Sequence, residues 1–231
     1  MRLSVVLPHR DRAGPRLESC LRSLRWQTLP SDEVEIVVSD LGSRPEVVAE
    51  LGPLAARYGA RLLTQTDADL WNRSRALNLG LAAATGEIAL ASDVDMIFRP
   101  DFLAVVLAEA DAGFVLCRAL DLPPLPPRRW QAADYPWLES RASLRRAMGT
   151  GACQAAPRAF FLTHPYDEGY RHWGFEDKDM VVRARRAGLA LRFIHHRTSM
   201  LHQHHPRTKG EHPWLERRNK LRFWTRRWGL R

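Results

Sequence analysis

The stretch EIALASDVD, residues 87–95, joins a short apolar run to the acidic triplet Asp93, Val94 and Asp95. The apolar run predicts a buried strand, and the acids then follow its carboxyl end. Two carboxylates two residues apart can converge on one hard divalent cation, because Mg²⁺ and Mn²⁺ prefer oxygen ligands. The triplet alone also fits two solvated loop acids, so its place at a strand end is what favours a metal site.

Apolar runs of strand length alternate with segments of helical composition on both sides of this stretch. Predicted strands cover residues 3–7, 34–38, 61–63, 87–91, 114–117 and 189–194, and predicted helices cover residues 17–24, 46–58, 73–84, 101–110 and 176–187. Such alternation predicts an α/β fold with a mainly parallel central sheet and helices on both faces. Ligands of these sheets bind at the carboxyl ends of the strands.

The segment LPPLPP, residues 122–127, interrupts this alternation. Proline lacks a backbone N–H and fixes its own φ, so the segment suits neither a helix interior nor a central strand. We expect a surface connection here that leads into an acceptor-side C-terminal region.

Length, composition and charge bear on the number of domains, the state of the cysteines, the location of the protein and the type of partner. The chain has 231 residues, 45% hydrophobic content and three cysteines without paired spacing, which predicts one domain with reduced thiols. No apolar run approaches the roughly 20 residues of a membrane-spanning helix, and the first residues lack a signal-peptide layout, so we expect a cytoplasmic protein. The net charge of +9 suits a polyanionic partner.

Two further clusters carry candidate chemistry. The segment WGFEDKD, residues 173–179, enters a predicted helix with several acids, of which helix capping explains one or two. A carboxylate there could instead remove a proton from an attacking hydroxyl. The segment HQHH, residues 202–205, could add an imidazole to a metal site.

Four segments together resemble one family. They are VLPHRDR (6–12), WNRSRALNLG (71–80), SDVDMI (92–97) and WGFEDKD (173–179). Their order resembles that of the Golgi β-galactosyltransferases and of the bacterial chondroitin-polymerase type of family-two glycosyltransferase. The resemblance implies a GT-A fold, a UDP-sugar donor, Mn²⁺ or Mg²⁺ as cofactor, and transfer with inversion.

The resemblance also implies roles for single residues. Asp177 would be the general base, and Glu176 would bind the transferred sugar or the acceptor. Asp95 and His202 would bind the metal, with Asp93 and His204 as alternative ligands. Contacts to the nucleotide, its diphosphate or the donor sugar would come from Pro8, His9, Arg10, Arg12, Asp40, Arg73, Arg75, Asp93, Val94 and Trp173.

Three departures from the family pattern accompany these matches. Phe175 stands where the galactosyltransferases have glycine, which predicts a differently shaped sugar pocket. Leu41 replaces an acid often found after the equivalent of Asp40. The histidine after Met200 is offset by one residue, and the polymerase-type pattern fits His202 better.

The implied acceptor is a saccharide or a lipid-linked saccharide, in surface polysaccharide or glycolipid synthesis, with a galactose-type hexose or N-acetylhexosamine as the transferred sugar. We divide the chain into a transferase domain (1–206), with a nucleotide-binding half (1–99) and an acceptor half (100–206), and a basic C-terminal helix (207–231).

The C-terminal helix carries Trp214, Leu221, Trp224 and Trp228 at intervals of seven, three and four residues, among many arginines. This spacing predicts one apolar helical face. The face could lie on an anionic bilayer, which would place the protein at the inner face of the membrane, or it could pack against the enzyme.

A non-catalytic relative of the glycosyltransferases would usually lack the carboxylates, and all of them are present here. Two rival functions of other classes remain. A nucleic-acid-binding protein would explain the computed pI near 10.3, but the acidic motifs and the lack of a recognisable binding motif count against it, so no nucleic-acid partner is expected. A metal-dependent nucleotidyltransferase would also use paired acids, yet no glycine-rich phosphate loop follows the first strand.

Overall fold

The computed structural model describes residues 1–66, 70–126, 128–145, 149–206 and 210–227. The strands are β1 (Leu3–His9), β2 (Val34–Leu41), β3 (Arg61–Gln65), β4 (Ile88–Ala91), β5 (Met96–Phe98), β6 (Gly113–Leu116), β7 (Leu120–Asp121), β8 (Ser143–Leu144), β9 (Gln154–Pro157), β10 (Ala190–Phe193) and β11 (Met200–His202). The helices are α1 (Pro15–Arg25), α2 (Pro45–Arg57), α3 (Arg73–Ala83), α4 (Phe102–Ala110), α5 (Tyr135–Arg141), α6 (Arg158–Thr163), α7 (Glu176–Arg186) and α8 (Pro213–Arg227).

Seven strands form the central sheet in the order β10, β6, β9, β4, β1, β2 and β3. Every neighbouring pair is parallel except the two that involve β9, which runs antiparallel to both β4 and β6. The predicted α/β fold with a mainly parallel sheet is therefore confirmed. The first and the last of the predicted strands, observed as β1 and β10, both belong to this sheet.

Helices cover both faces of the sheet because side chains of a strand point alternately to its two sides. On one face, Leu3, Val5 and Leu7 of β1 belong to a core that includes residues of α1, α2 and α4. On the other face, Val6 belongs to a core with residues of α3, α6 and α7. Nearly all of β1 is thus buried on both faces, as a central parallel strand requires.

A second sheet of four strands, in the order β5, β11, β7 and β8, follows the carboxyl end of β4. In it β11 pairs antiparallel with β5 and parallel with β7. This small sheet brings His202, at the end of β11, next to the loop that carries Asp95, since the Gln203 backbone N–H donates to the Asp95 carbonyl.

The division of the chain at residue 99 does not divide the central sheet, because β6, β9 and β10 lie beyond it. The sheet is therefore one unit built from both halves. The proposed functional division into nucleotide and acceptor halves stays a prediction.

The C-terminal helix buries a different face from the one that carries Trp214 and Leu221. Leu215, Asn219 and Phe223 are the buried residues of α8, whereas Trp214 and Leu221 are 61% and 65% exposed. Of the two alternatives left open for this face, packing against the enzyme does not describe Trp214 and Leu221. Arg207, Lys209, Trp228 and Arg231 lie outside the described residues.

Among the described residues, no helix is both long enough and apolar enough to cross a membrane.

Candidate active site

One carboxylate and two imidazoles meet at the carboxyl end of β4. Ligand atoms of Asp95, His202 and His205 all lie within 4.8 Å of one another. Asp95 Oδ2 is 3.1 Å from His205 Nε2 and 3.9 Å from His202 Nε2, and 3.5 Å from the Arg12 guanidinium. The other oxygen of Asp95, Oδ1, is buried and has no hydrogen-bond partner. A buried acceptor without a partner next to two imidazoles is a donor set that fits a divalent metal.

The pKa values of the two imidazoles in this group shift in opposite directions. Burial lowers the pKa of His202, so its imidazole tends to be neutral, the form that binds metals. Burial would raise the pKa of Asp95, but the His205 hydrogen bond and nearby positive charges outweigh it and lower that pKa. The hydrogen bond to Asp95 in turn raises the pKa of His205.

A second carboxylate orients His202 from the opposite side of the ring. His202 Nδ1 lies 3.1 Å from Asp121 Oδ1, and Arg145 holds the same oxygen through Nη2 at 2.6 Å. When Nδ1–H donates to a carboxylate, the lone pair of Nε2 faces the other way, toward Asp95. Sequence reasoning missed Asp121, which carries no motif and is distant along the chain.

Asp93 points away from this group and binds Arg73. Arg73 donates through Nε and Nη2 to Asp93 Oδ1, at 3.0 and 2.8 Å, and through Nη2 to the Gly151 carbonyl. Its Nη1 lies 3.8 Å from a Glu176 oxygen. Arg73 therefore links the loop after β4 to the start of α7.

Glu176 and Asp177 begin α7 beside this arginine. Burial raises the pKa of Glu176 to about 7, the Asp177 charge adds to the rise, and Arg73 opposes it. Asp177 Oδ2 accepts a hydrogen bond of 3.1 Å from Thr150. The two adjacent acids thus have different environments, one enclosed beside a cation and one bound to a hydroxyl.

The loop that enters α7 has an uncommon conformation. Phe175, where the resembling family has glycine, adopts φ +77° in the left-handed region, and Gly174 precedes it at φ +99°. A non-glycine residue pays roughly 1–2 kcal/mol there. The Phe175 ring packs on Phe223 of α8 at 5.5 Å between centroids and under the Lys178 ammonium, and these contacts offset the strain. Trp173, in the same loop, is 44% exposed.

The predicted nucleotide contacts after β1 and β2 divide into two sets. His9 and Asp40 are buried against each other, with His9 Nδ1 at 2.7 Å from Asp40 Oδ1. The Arg12 backbone N–H donates to His9 Nε2, so the buried pair holds the loop that bears Arg12. Pro8 is also buried, whereas Arg10 and Arg12 are half-buried at the rim.

The remaining predicted residues lie as follows. Val94 is buried between the two acids. Arg75 is half-buried in the first turn of α3, and its backbone N–H donates to the N-cap Asn72. His204, an alternative metal ligand in the sequence analysis, is exposed and lies outside the group formed by Asp95, His202 and His205.

These contacts define what the site can do. The Asp95 group can hold a divalent cation, while Arg10, Arg12 and Arg73 supply guanidinium groups of the kind that bind phosphate oxygens. Asp177 and Glu176 supply carboxylates that can accept a proton. Arg73 joins both parts through Asp93.

We predict that the free energy of unfolding depends on Glu176 between pH 4.5 and about 7 in the metal-free protein. A raised pKa means that the folded state keeps a proton which the unfolded state has lost, so stability falls as pH rises through this window. The glutamine of Glu176→Gln cannot ionise. The free energy of unfolding of this variant minus that of the native protein should therefore increase by about 1–3 kcal/mol from pH 5 to pH 8.

Urea unfolding at both pH values measures this difference. Glu50→Gln, at an exposed position of α2, is the matched control and should leave the pH profile unchanged. An equal effect of Glu176→Gln at pH 5 and pH 8 would contradict the raised pKa.

Comparison with protein families gives two overlapping matches. The model for "Glycosyl transferase family 2" matches residues 4–164, and the model for "N-terminal domain of galactosyltransferase" matches residues 139–206. The first includes Arg73 and both acids of the triplet, and the second includes Asp177 and the histidines. A comparison with curated proteins finds no match.

Solved structures show the same fold. A mannosyltransferase from Pyrobaculum calidifontis, in complex with GDP-Man and Mn²⁺, matches with a TM-score of 0.64 and 21% identity over 94% of this chain and 60% of its own. S. aureus TarS residues 1–349, in complex with UDP-GlcNAc, match with a TM-score of 0.64 and 14% identity over 90% of this chain and 60% of the TarS chain. GalNAc-T7, in complex with UDP, GalNAc and Mn²⁺, matches with a TM-score of 0.68 and 16% identity over 88% of this chain and 44% of the GalNAc-T7 chain.

This chain thus spans 60% or less of the length of these three proteins. The likeness at such low identity concerns the GT-A fold. The family-two match, by contrast, covers more than half of the chain and includes the first three of the four segments from which the resemblance was drawn. The chain belongs to glycosyl transferase family 2.

Proposed function

We propose that the protein is a metal-dependent, inverting glycosyltransferase that moves a hexose or N-acetylhexosamine from a UDP-sugar to a hydroxyl of a saccharide or lipid-linked saccharide. The observation that carries the proposal is that Arg73 connects two groups of side chains. One is the metal-binding group of Asp95, His202 and His205, and the other is the acidic pair of Glu176 and Asp177. Of the two rival functions, neither is favoured by a contact in the described structure.

The cofactor in this proposal is Mn²⁺ or Mg²⁺, held by Asp95, His202 and His205. Two imidazoles suit Mn²⁺ better than Mg²⁺, which prefers oxygen ligands throughout. The mannosyltransferase and GalNAc-T7 complexes, both with Mn²⁺, support this choice. When bound, the ion supplies Lewis-acid stabilisation of a leaving diphosphate.

The side chains of this chain then divide the work. Arg12, which lies beside Asp95, and Arg10 bind the diphosphate. The uracil and ribose of the donor bind at the carboxyl end of β2. Asp93 keeps Arg73 oriented and contacts the ribose or donor sugar. Trp173 offers an exposed flat surface on which a sugar ring can pack.

Asp177 is the general base in this proposal. It accepts the Thr150 hydrogen bond through Oδ2, so Oδ1 can accept a hydrogen bond from a substrate hydroxyl. Glu176, near Arg73, binds the transferred sugar or the acceptor. A pKa near 7 would also suit a base, so the two carboxylates have to be separated by experiment.

The galactose-type donor and the acceptor rest on comparisons. The galactosyltransferase-domain match over residues 139–206 supports galactose or N-acetylgalactosamine as the donor sugar. TarS in complex with UDP-GlcNAc and GalNAc-T7 in complex with UDP support a uridine nucleotide. We further propose action in the cytoplasm at the inner membrane face, in surface polysaccharide or glycolipid synthesis.

We predict that Asp95→Ala abolishes Mn²⁺ binding and that Asp121→Asn weakens it. Asp95 is a ligand, whereas Asp121 is a positioning residue that orients His202, and loss of such a partner typically costs 10–100-fold in metal affinity. Electron paramagnetic resonance titration of Mn²⁺ in the presence of UDP measures both effects, and Asp121→Glu should restore part of the loss.

His204→Ala is the matched control and should bind Mn²⁺ like the native protein. If His204→Ala lost binding while His205→Ala kept it, the ligand assignment would be wrong.

We predict that Asp177→Asn keeps binding of UDP and Mn²⁺ but loses transfer by about 10²–10⁴-fold in kcat, because an amide cannot accept the acceptor proton. The assay measures released UDP with UDP-galactose, UDP-N-acetylgalactosamine, UDP-glucose and UDP-N-acetylglucosamine, and NMR of the product gives its anomeric configuration.

Asp111→Asn, at an exposed turn after α4, is the control and should transfer normally. Normal turnover by Asp177→Asn with loss in Glu176→Gln would assign the base to Glu176. A product of retained configuration, or turnover without any divalent cation, would refute the proposed mechanism.

A further inference from the structure

Helix α8 has two faces with different partners. On the docked face, the Asn219 amide donates to the carbonyls of Arg171 and Trp173, at 2.9 and 3.1 Å, and Phe223 packs on Phe175. These contacts join α8 directly to the loop that enters α7. The helix is therefore fixed relative to the acidic pair.

Ion pairs at one edge strengthen this attachment. Arg222 donates to both oxygens of Asp167, at 2.6 and 2.9 Å, and Arg226 lies 2.7 Å from the same carboxylate. Burial alone would raise the pKa of Asp167, but its hydrogen bonds and these arginines lower it. The orientation of α8 is thus set by packing and charge together.

The opposite face presents large apolar side chains to solvent. Trp214, Leu221 and Trp224 are 61%, 65% and 39% exposed, and their spacing of seven and three residues aligns them along one side of the helix. Several large apolar side chains exposed on one side of a helix suit an interaction surface.

Basic residues surround this stripe. Arg217, Arg218 and Lys220 are exposed, and within the described part of the chain none of them lies at ion-pair distance from an acid. Arg227 lies over the Trp224 ring at 5.3 Å. Glu216, the acid of this helix, accepts a hydrogen bond from the Gly210 backbone N–H, and the three cations outnumber it.

We propose that the Trp214, Leu221 and Trp224 face of α8 binds the surface of an anionic lipid bilayer. Tryptophan is enriched at the boundary between headgroups and acyl chains, and flanking Lys and Arg side chains are attracted to anionic headgroups. An exposed leucine between two tryptophans suits immersion in that boundary, whereas a nucleic-acid surface would use the arginines without a leucine. The apolar side chains therefore distinguish the bilayer from a nucleic acid, and the cations match the charge of anionic headgroups.

The location of this face has a consequence for the substrate. Because the docked side of α8 holds the Trp173 to Phe175 loop, a bilayer bound to the outer side would lie near the acidic pair. This geometry favours a lipid-linked acceptor, a point that rests on the proposed function. Bilayer binding itself does not depend on it.

Flotation of the full-length protein with vesicles tests the surface. Vesicles of phosphatidylcholine alone and with about one third phosphatidylglycerol are compared, and binding is expected for the anionic vesicles. The triple variant Trp214→Ser, Leu221→Ser, Trp224→Ser should lose at least tenfold in apparent affinity. The variant Arg217→Gln, Arg218→Gln, Lys220→Gln should lose roughly a hundredfold, about fivefold for each charge.

Trp137→Ser is the matched control, since Trp137 is an exposed tryptophan of α5 at another site. Circular dichroism and Mn²⁺ binding confirm that the variants fold. Equal flotation of the triple variant and the native protein overturns the proposal, as does a monomer–dimer change or loss of RNA binding caused by the same substitutions. Flotation without transfer would refute only the proposed function, and transfer without flotation only this surface.

Discussion

The buried guanidinium of Arg73 holds the site together. It binds Asp93 and the Gly151 carbonyl and faces Glu176, so it connects the loop after β4, the approach to β9 and the start of α7. Burial alone would lower the pKa of Arg73, but the two carboxylates raise it and keep the charge in place. Removal of one member of such a buried set leaves an uncompensated charge, which is strongly destabilising.

This arrangement explains why the two acids of the triplet have different partners. Val94 is buried, so its neighbours Asp93 and Asp95 diverge, one toward Arg73 and the other toward the histidines. The metal group and the acidic pair therefore occupy adjacent parts of one sheet edge. Helix α8 extends the arrangement further, because its docked face supports the loop that carries the acids.

Hydrophobic periodicity predicted the parallel strands and their helices to within a few residues, since burial on both sides of β1, β2 and β4 leaves apolar runs in the sequence. It did not predict β9, a short strand that ends at Pro157 and runs antiparallel. The small sheet of β5, β11, β7 and β8 was also missed, because strands of two or three residues carry no readable period.

The motifs predicted candidate site residues, whose roles stay predictions. His205 and Asp121 were not among them, since loop geometry and long-range pairing decide which imidazole reaches Asp95 and what orients it. The face that α8 buries was not predicted, because an amide lies at its centre: Asn219 is buried and donates to two backbone carbonyls. The substitution at Phe175 did carry a signal, since a glycine position commonly reflects a positive φ.

The most direct test of the metal-centred account is anomalous diffraction at the manganese edge from crystals grown with Mn²⁺ and UDP. The account predicts one peak at roughly 2.0–2.3 Å from a carboxylate oxygen of Asp95 and from Nε2 of His202 and of His205, with UDP phosphate oxygens completing the shell. A peak bound by Asp93 in place of Asp95, or a UDP complex whose diphosphate lies away from this group, would contradict it.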